Sequence, residues 1–247
     1  LRAYPDKKFY FFSYEEAKKA LAVKLLMILS GETLDKETNY GAYINYLKEK
    51  RGSNKKIEEA LKEYEELTSS GRLLISDNMY PAEDLVSVIG SLARGEKTGA
   101  VIIDYIQKIP LLRPSQGQRY LDIKLISSLL LDQAVRLDIP IILGAQLGRG
   151  DRSSGSSKIR LDNLRESGDI EQDANLVLGL YTQALEDIER EDYQTPGRID
   201  PTVNMELTVL KNRSGVAGKS FTLSFDRPVY KIRETKPSDS VSRSKTY

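Results

Sequence analysis

The sequence predicts an α/β protein built on a twisted, mostly parallel sheet flanked by helices, with a β-hairpin near its C-terminal end. Three observations carry that expectation. Strand-like apolar runs alternate with helix-patterned stretches across residues 72–145. One of those runs, Val101-Ile102-Ile103-Asp104, is apolar up to a final carboxylate, as a strand buried on both faces would be. Further on, residues 203–210 and 220–225 are two strand-like runs separated by a turn segment containing Gly215 and Gly218.

Each element follows from local pattern. Lys8-Phe9-Tyr10-Phe11-Phe12 is a short aromatic run bounded by charge and reads as a strand; residues 14–30 follow as a helix, with Leu21, Leu25, Leu26 and Leu29 at helical spacing. Residues 32–70 form a charged helical segment, two surface helices divided near Gly52-Ser53-Asn54, whose thin apolar stripe suits them to decorate a core. Residues 72–76 read as a strand. A helix opens at Pro81, where a missing N–H costs nothing, and runs to about Arg94. Residues 100–104 read as a strand, 120–137 as a helix and 139–145 as a buried strand, followed by a Gly/Ser/Arg loop over 148–158. Residues 175–181 form another strand, and 182–201 an irregular charged connection. Residues 1–233 are thus expected to form one principal domain, with 234–247 a polar, disordered tail.

Composition sets the outer bounds. With 247 residues, 40% hydrophobic and 30% charged, the chain has the make-up of a globular protein able to bury a real core, and its apolar runs are too short to cross a bilayer. It contains no Cys and no His, which removes disulfides, Cys/His zinc sites and His-based triads. Catalysis would therefore rest on Asp, Glu, Lys, Arg, Ser, Thr, Tyr or a bound metal. A formal charge of +1 gives no global support for nucleic-acid binding, so a local basic loop would have to supply it. The chain opens on Leu1-Arg2-Ala3-Tyr4 without a signal-like run or an initiating Met, which reads as a cut inside a longer protein.

A strand that ends on Asp104 resembles a Walker B strand, which presents a carboxylate to the magnesium of a bound nucleotide. Such an Asp taken alone is more often a strand-end or helix-capping residue. The companion phosphate loop, G-x-x-x-x-G-K-[ST], does not occur: Arg213 stands where Gly215-Val-Ala-Gly218-Lys219-Ser220 would need its first Gly, and a turn between strands is the better reading there. Gly95-Glu96-Lys97-Thr98 also departs from the pattern.

Taken in order, the segments across residues 99–225 resemble bacterial DnaB-type replicative helicases, a family of RecA-like motors. Gly99-Ala-Val-Ile-Ile-Asp-Tyr-Ile-Gln107 is similar to that family's Walker B segment and Leu143-Gly-Ala-Gln-Leu-Gly-Arg149 to its sensor segment. Leu164-Arg-Glu-Ser-Gly-Asp-Ile-Glu-Gln-Asp-Ala174 resembles its most distinctive run, and Leu210-Lys-Asn-Arg-Ser-Gly215 its terminal Lys-x-Arg-x-Gly segment. Phe12-Ser-Tyr-Glu-Glu-Ala17 resembles its Phe-Ser-Leu-Glu-Met segment, with Lys24 where an Arg is usual. The resemblance covers roughly the last two-thirds of the motor domain; residues 32–70 diverge from it, and the P-loop unit and helical N-terminal domain have no counterpart.

What the resemblance implies is an ATP- and Mg²⁺-dependent motor acting on single-stranded DNA as a hexameric homo-oligomer with 5′-to-3′ polarity. A primase and a helicase loader would be partners, with cytoplasmic residence at the nucleoid or replication fork and no membrane. Asp104 would hold Mg²⁺ directly or through water, and Glu15 would polarise the attacking water. Glu16, which stands where the family has Met, is the less favoured base. Gln146 would sense the γ-phosphate, Lys24 would contribute to nucleotide binding, and Lys211 and Arg213, alternating along a strand, would reach a neighbour's γ-phosphate. Arg165, Glu166 and Gly168 correspond to the family's DNA-binding loop, with Arg149, Arg152 and Lys158 adding a basic loop. The bland readings are a capping Glu15, a loop-closing Gln146 and a solvated strand edge for the Lys211/Arg213 pair. Without a phosphate loop, the chain alone is expected to be inactive. The alternatives are a non-hydrolysing DnaB-like adaptor or ring component, and a RecA/RadA-type recombination ATPase or clock-type ATPase on the same core.

Overall fold

The structure, a computed structural model, describes residues 1–35, 39–49, 53–146, 161, 168–182 and 202–235. In chain order the elements are β1 (Lys8–Ser13), α1 (Lys18–Ser30), α2 (Asn39–Glu49), α3 (Lys55–Ser69), β2 (Leu73–Ser76), α4 (Ala82–Ala93), β3 (Thr98–Asp104), α5 (Arg119–Leu137), β4 (Ile141–Leu143), α6 (Gly168–Asp173), β5 (Leu176–Tyr181), β6 (Thr202–Asn212), β7 (Ser220–Asp226) and β8 (Lys231–Glu234). They fall into two compact units.

The first unit takes in Leu1–Ala22, Glu58–Asp151 and Leu161–Ala174. Its sheet is wholly parallel, in the order β2-β1-β3-β4. Tyr10 and Phe12 of β1, with Val101 and Ile103 of β3, point to one face and meet Leu85 and Ile89 of α4 and Ile123, Ile126 and Leu130 of α5. Full burial of side chains this size contributes about 1.5–3 kcal/mol each, so this layer is the main source of the unit's stability. The polar ends inside it keep partners: Tyr10 donates to the Leu92 carbonyl and Tyr14 to the Tyr80 carbonyl, each at 2.9 Å. Pro81 precedes α4 as its N-cap residue, with Glu83 and Asp84 in the first turn where the helix dipole favours acids.

The second unit takes in Val23–Ile57, Arg152–Arg160 and Asn175–Tyr247. It carries an antiparallel sheet in the order β5-β6-β7-β8. Asn39 organises its helical part: the side-chain oxygen accepts the Leu34 N–H at 2.7 Å, while the amide nitrogen donates to the Pro228 carbonyl at 2.7 Å. Tyr43 is fully buried beside it and bonds Ser30 and the Glu32 carbonyl. The charged helical segment thus has anchors that its thin stripe under-represents, because a single Tyr buries as much surface as two small aliphatic side chains.

Three boundaries need correction, and the expected hairpin, β6 with β7, gains neighbours. The first helix begins at Lys18, not at 14: Ser13 Oγ accepts the Glu16 N–H at 2.9 Å, and residues 14–16 bend before the helix starts. The strand expected over 139–145 is only Ile141–Leu143, because three residues find partners on β3 among the described residues. The terminal pair of strands belongs to a four-stranded sheet, which β5 joins on one side and β8 on the other. Glu234 therefore closes a strand, whereas 236–247 lie outside the described residues.

Candidate functional site

Three of the singled-out residues stand at adjacent C-terminal strand ends of the first unit. Ser13 is the register partner of Asp104, and the Tyr14 N–H donates to the Asp104 carbonyl at 2.7 Å, so Glu15 leaves β1 directly beside the end of β3. Glu15 is exposed, held in the bend that the Ser13 hydroxyl pins. It is therefore not a capping residue within a helical turn. A carboxylate at this position faces solvent and can approach a bound molecule without rearranging the core.

Past β4 the chain stays tied to β3. The Gly144 N–H donates to the Ile103 carbonyl at 2.9 Å and the Ile106 N–H to the Gly144 carbonyl at 3.0 Å. A Cβ at Gly144 would lie 3.2 Å from Asp104 Oδ1 and 3.3 Å from Tyr105 Cβ, so the absence of a side chain there makes room for the carboxylate. Two residues on, Gln146 is exposed, and its backbone is clamped by Gln107: Gln107 Nε2 donates to the Gln146 carbonyl at 2.9 Å, and the Gln146 N–H donates to Gln107 Oε1 at 3.1 Å. The Gln146 side chain is left out of that exchange.

Arg119 extends the support by donating to the Gln107 carbonyl at 2.6 Å and the Ile109 carbonyl at 3.3 Å. Asp122, at 3.4 Å from Arg119, is itself buried. The Ser115 N–H, 2.8 Å from Asp122 Oδ1, and then Arg119 hold that carboxyl below the usual carboxylate range. Gln107 and Arg119 were not singled out from sequence. Their partners lie 39 and 12 residues away along the chain, and no local pattern encodes such a clamp.

The remaining residues fall elsewhere. Lys24 lies in the second unit with its Nζ 5.4 Å from the centre of the Tyr230 ring. Lys211 pairs with Val177 next to a register shift, and β6 ends at Asn212. Arg213 stands one residue past that end, donating from its backbone to the Asn175 carbonyl at 2.9 Å and from its guanidinium to Asn175 Oδ1 at 3.2 Å. The two cations do not share a regular strand, so simple alternation does not set their relative direction. Gly168 is the first residue of α6, whereas Arg165, Glu166, Arg149, Arg152 and Lys158 lie outside the described residues.

Among the described residues no three acidic side chains cluster as a metal cage. Mg²⁺ does not require one: it retains water and is commonly held by one or two carboxylates together with substrate phosphates. Asp104, at a strand end with space kept open by Gly144, fits that mode of holding.

The parallel sheet flanked by helices, with Glu15, Asp104 and Gln146 at neighbouring strand ends, has the architecture of a RecA-like α/β domain. The chain belongs to the DnaB-like helicase C-terminal domain family, whose sequence model matches residues 2–234. It is 32% identical over 157 residues to the replicative DNA helicase DnaB of Mycoplasma pneumoniae, covering 63% of this chain and 33% of that protein. It is also 32% identical over 219 residues to a probable replicative DNA helicase of Trieres chinensis, covering 87% of this chain and 44% of the relative. Against a solved ATPase domain the fold superposes with a TM-score of 0.74 at 24% identity, covering 94% of this chain and 75% of that one. A DnaB-like replicative helicase studied with primase gives 0.72 at 22% identity, covering 94% and 51%. The chain thus spans less than half the length of the two curated relatives.

Proposed function

We propose that this chain forms the greater part of an ATP-driven motor of a replicative DNA helicase, working as a hexameric ring that moves 5′ to 3′ on single-stranded DNA. The observation that carries the reading is the adjacency of Glu15 and Asp104 at paired strand ends, with the Gln146 loop tied to the same edge. ATP, when bound with Mg²⁺, supplies the phosphoryl bond whose hydrolysis drives movement. Asp104 would hold the metal, Glu15 would accept a proton from the attacking water, and Gln146 would hydrogen-bond the terminal phosphate without adding charge.

Lys211 and Arg213 would act on the nucleotide of a neighbouring protomer, and Lys24 would support binding. Arg165, Glu166 and Gly168 would grip successive DNA phosphates, with Glu166 orienting Arg165 or offering its amide. Contact with phosphates rather than bases makes such a grip indifferent to sequence. Primase and a loader are proposed partners of the whole protein. The pattern G-x-x-x-x-G-K-[ST] does not occur in these 247 residues.

The decisive experiment uses the full-length parent. Glu15→Gln is expected to retain ATP binding and ring assembly while turnover falls by about a hundredfold or more, the scale of a lost general base. Unchanged turnover would remove Glu15 from the reaction, whereas no ATP turnover by the unsubstituted protein would favour the non-hydrolysing adaptor reading.

A further inference from the structure

We propose that the open edge of β2 is a strand-addition site for an extended, acidic segment of a partner protein. The feature lies wholly within the first unit. β2 is the outermost strand of the parallel sheet, bonded to β1 on one side only. The Phe9 N–H donates to the Arg72 carbonyl, and with Phe9 opposite Leu73 and Tyr10 opposite Leu74 the backbone groups of Arg72 and Leu74 face β1. The N–H and C=O groups of Leu73 and Ile75 therefore face outward, and no described residue hydrogen-bonds them.

Exposed edges are ordinarily blunted by charge, Pro or a bulge, because unpaired amides recruit another strand. β2 reads Leu-Leu-Ile-Ser, with no charge, Pro or bulge of its own; its Leu73 and Ile75 are each 8% exposed, and Tyr64 and Thr68 of α3 line the space beside it. Instead its edge opens into a cavity of about 500 Å³, which Leu73, Leu74 and Ile75 line. The cavity rim also carries Lys8, Lys18 and Arg94 against a single carboxylate, Glu96. Glu96 pairs with Lys8 at 2.8 Å, so no lining carboxylate balances Lys18 and Arg94. An added strand would satisfy the outward amides, its apolar side chains would meet the floor, and its acidic side chains would meet the two cations. Charge complementarity selects an acidic segment over a neutral or basic one.

The test uses the complete 247-residue chain and a fluorescent eight-residue peptide alternating Glu and Val, read by anisotropy and by amide exchange in NMR. Saturable binding is expected, with slowed exchange at the Leu73 and Ile75 amides. A Lys/Val peptide should not bind. Lys18→Glu combined with Arg94→Glu should weaken the acidic peptide at least tenfold, with the fold verified by circular dichroism. Two further peptides, N-methylated at one or the other alternate set of residues, separate backbone pairing from charge attraction: one set should lose binding and the other keep it. The proposal is overturned by absent binding, by unprotected Leu73 and Ile75 amides, by equal binding of both N-methylated peptides, or by sedimentation showing that the edge is covered by a second copy of this chain.

Discussion

At the scale of single residues, the site depends as much on a missing side chain as on those present. Gly144 stands where a Cβ would press on Asp104 Oδ1 at 3.2 Å and on Tyr105 Cβ at 3.3 Å. Gly144→Ala in the full-length parent is expected to lower ATP turnover about tenfold or more, because Asp104 must move to relieve the contact. Stability should drop by only about 1–3 kcal/mol, the usual cost of a small overpacking, so comparing steady-state ATPase with urea unfolding separates the two effects. Turnover equal to wild type would show that the Asp104 position is not critical. Asp104, Glu15 and Gln146 were legible as candidates through the resemblance of their segments to those of the helicase family, since each taken alone has an equally ordinary structural reading. Gln107 and Arg119 were not, since Gln107 meets the Gln146 backbone only when β3 and β4 lie side by side and Arg119 meets the Gln107 and Ile109 carbonyls only once the chain folds back from β3.

The elements show why helix and strand identities were readable while several boundaries were not. Pro81 fixes the start of α4, and apolar residues at helical spacing fix its buried face. Ile89 is fully buried there; Ile89→Ala is expected to cost about 2–5 kcal/mol in chemical denaturation, and a loss near zero would mean that the α4–sheet layer is not the core. In α5, Asp122 ties down the turn at Ser115. Its carboxyl titrates lower in the folded than in the unfolded chain, so its contribution is complete above the unfolded carboxylate range and disappears as pH falls through the lower folded value. Thermal melts should therefore show an acid-side loss of stability that Asp122→Asn reduces; an identical acid profile in the variant would remove Asp122 as a contributor. The limits of β4 and the start of α1 escaped sequence reading because pairing with β3 sets the first and the Ser13 hydroxyl the second.

On the scale of the whole molecule, two compact units divide the singled-out residues: Glu15, Asp104 and Gln146 fall in the first, and Lys24, Lys211 and Arg213 in the second. Among the described residues no helix is long and apolar enough to cross a membrane. The proposed trans action of Arg213 is testable in mixed rings of the full-length parent. Arg213→Ala subunits should bind ATP normally yet suppress turnover at neighbouring wild-type sites, whereas turnover in simple proportion to the wild-type fraction would refute action across a protomer boundary. Arg165→Ala should instead weaken single-stranded DNA binding first and flatten its salt dependence, as expected for a lost phosphate contact.

Sequence by itself determined the α/β class and the presence of most elements, because these are properties of local composition and period, and the family that its segments resemble is the one whose model matches the chain. Tertiary structure alone decided that the sheet order is β2-β1-β3-β4, that β5 and β8 complete a separate antiparallel sheet, and that Gln107 clamps the Gln146 loop. Strand pairing joins segments tens of residues apart, and the hydrogen bonds that choose between partners are made by backbone groups that every sequence shares.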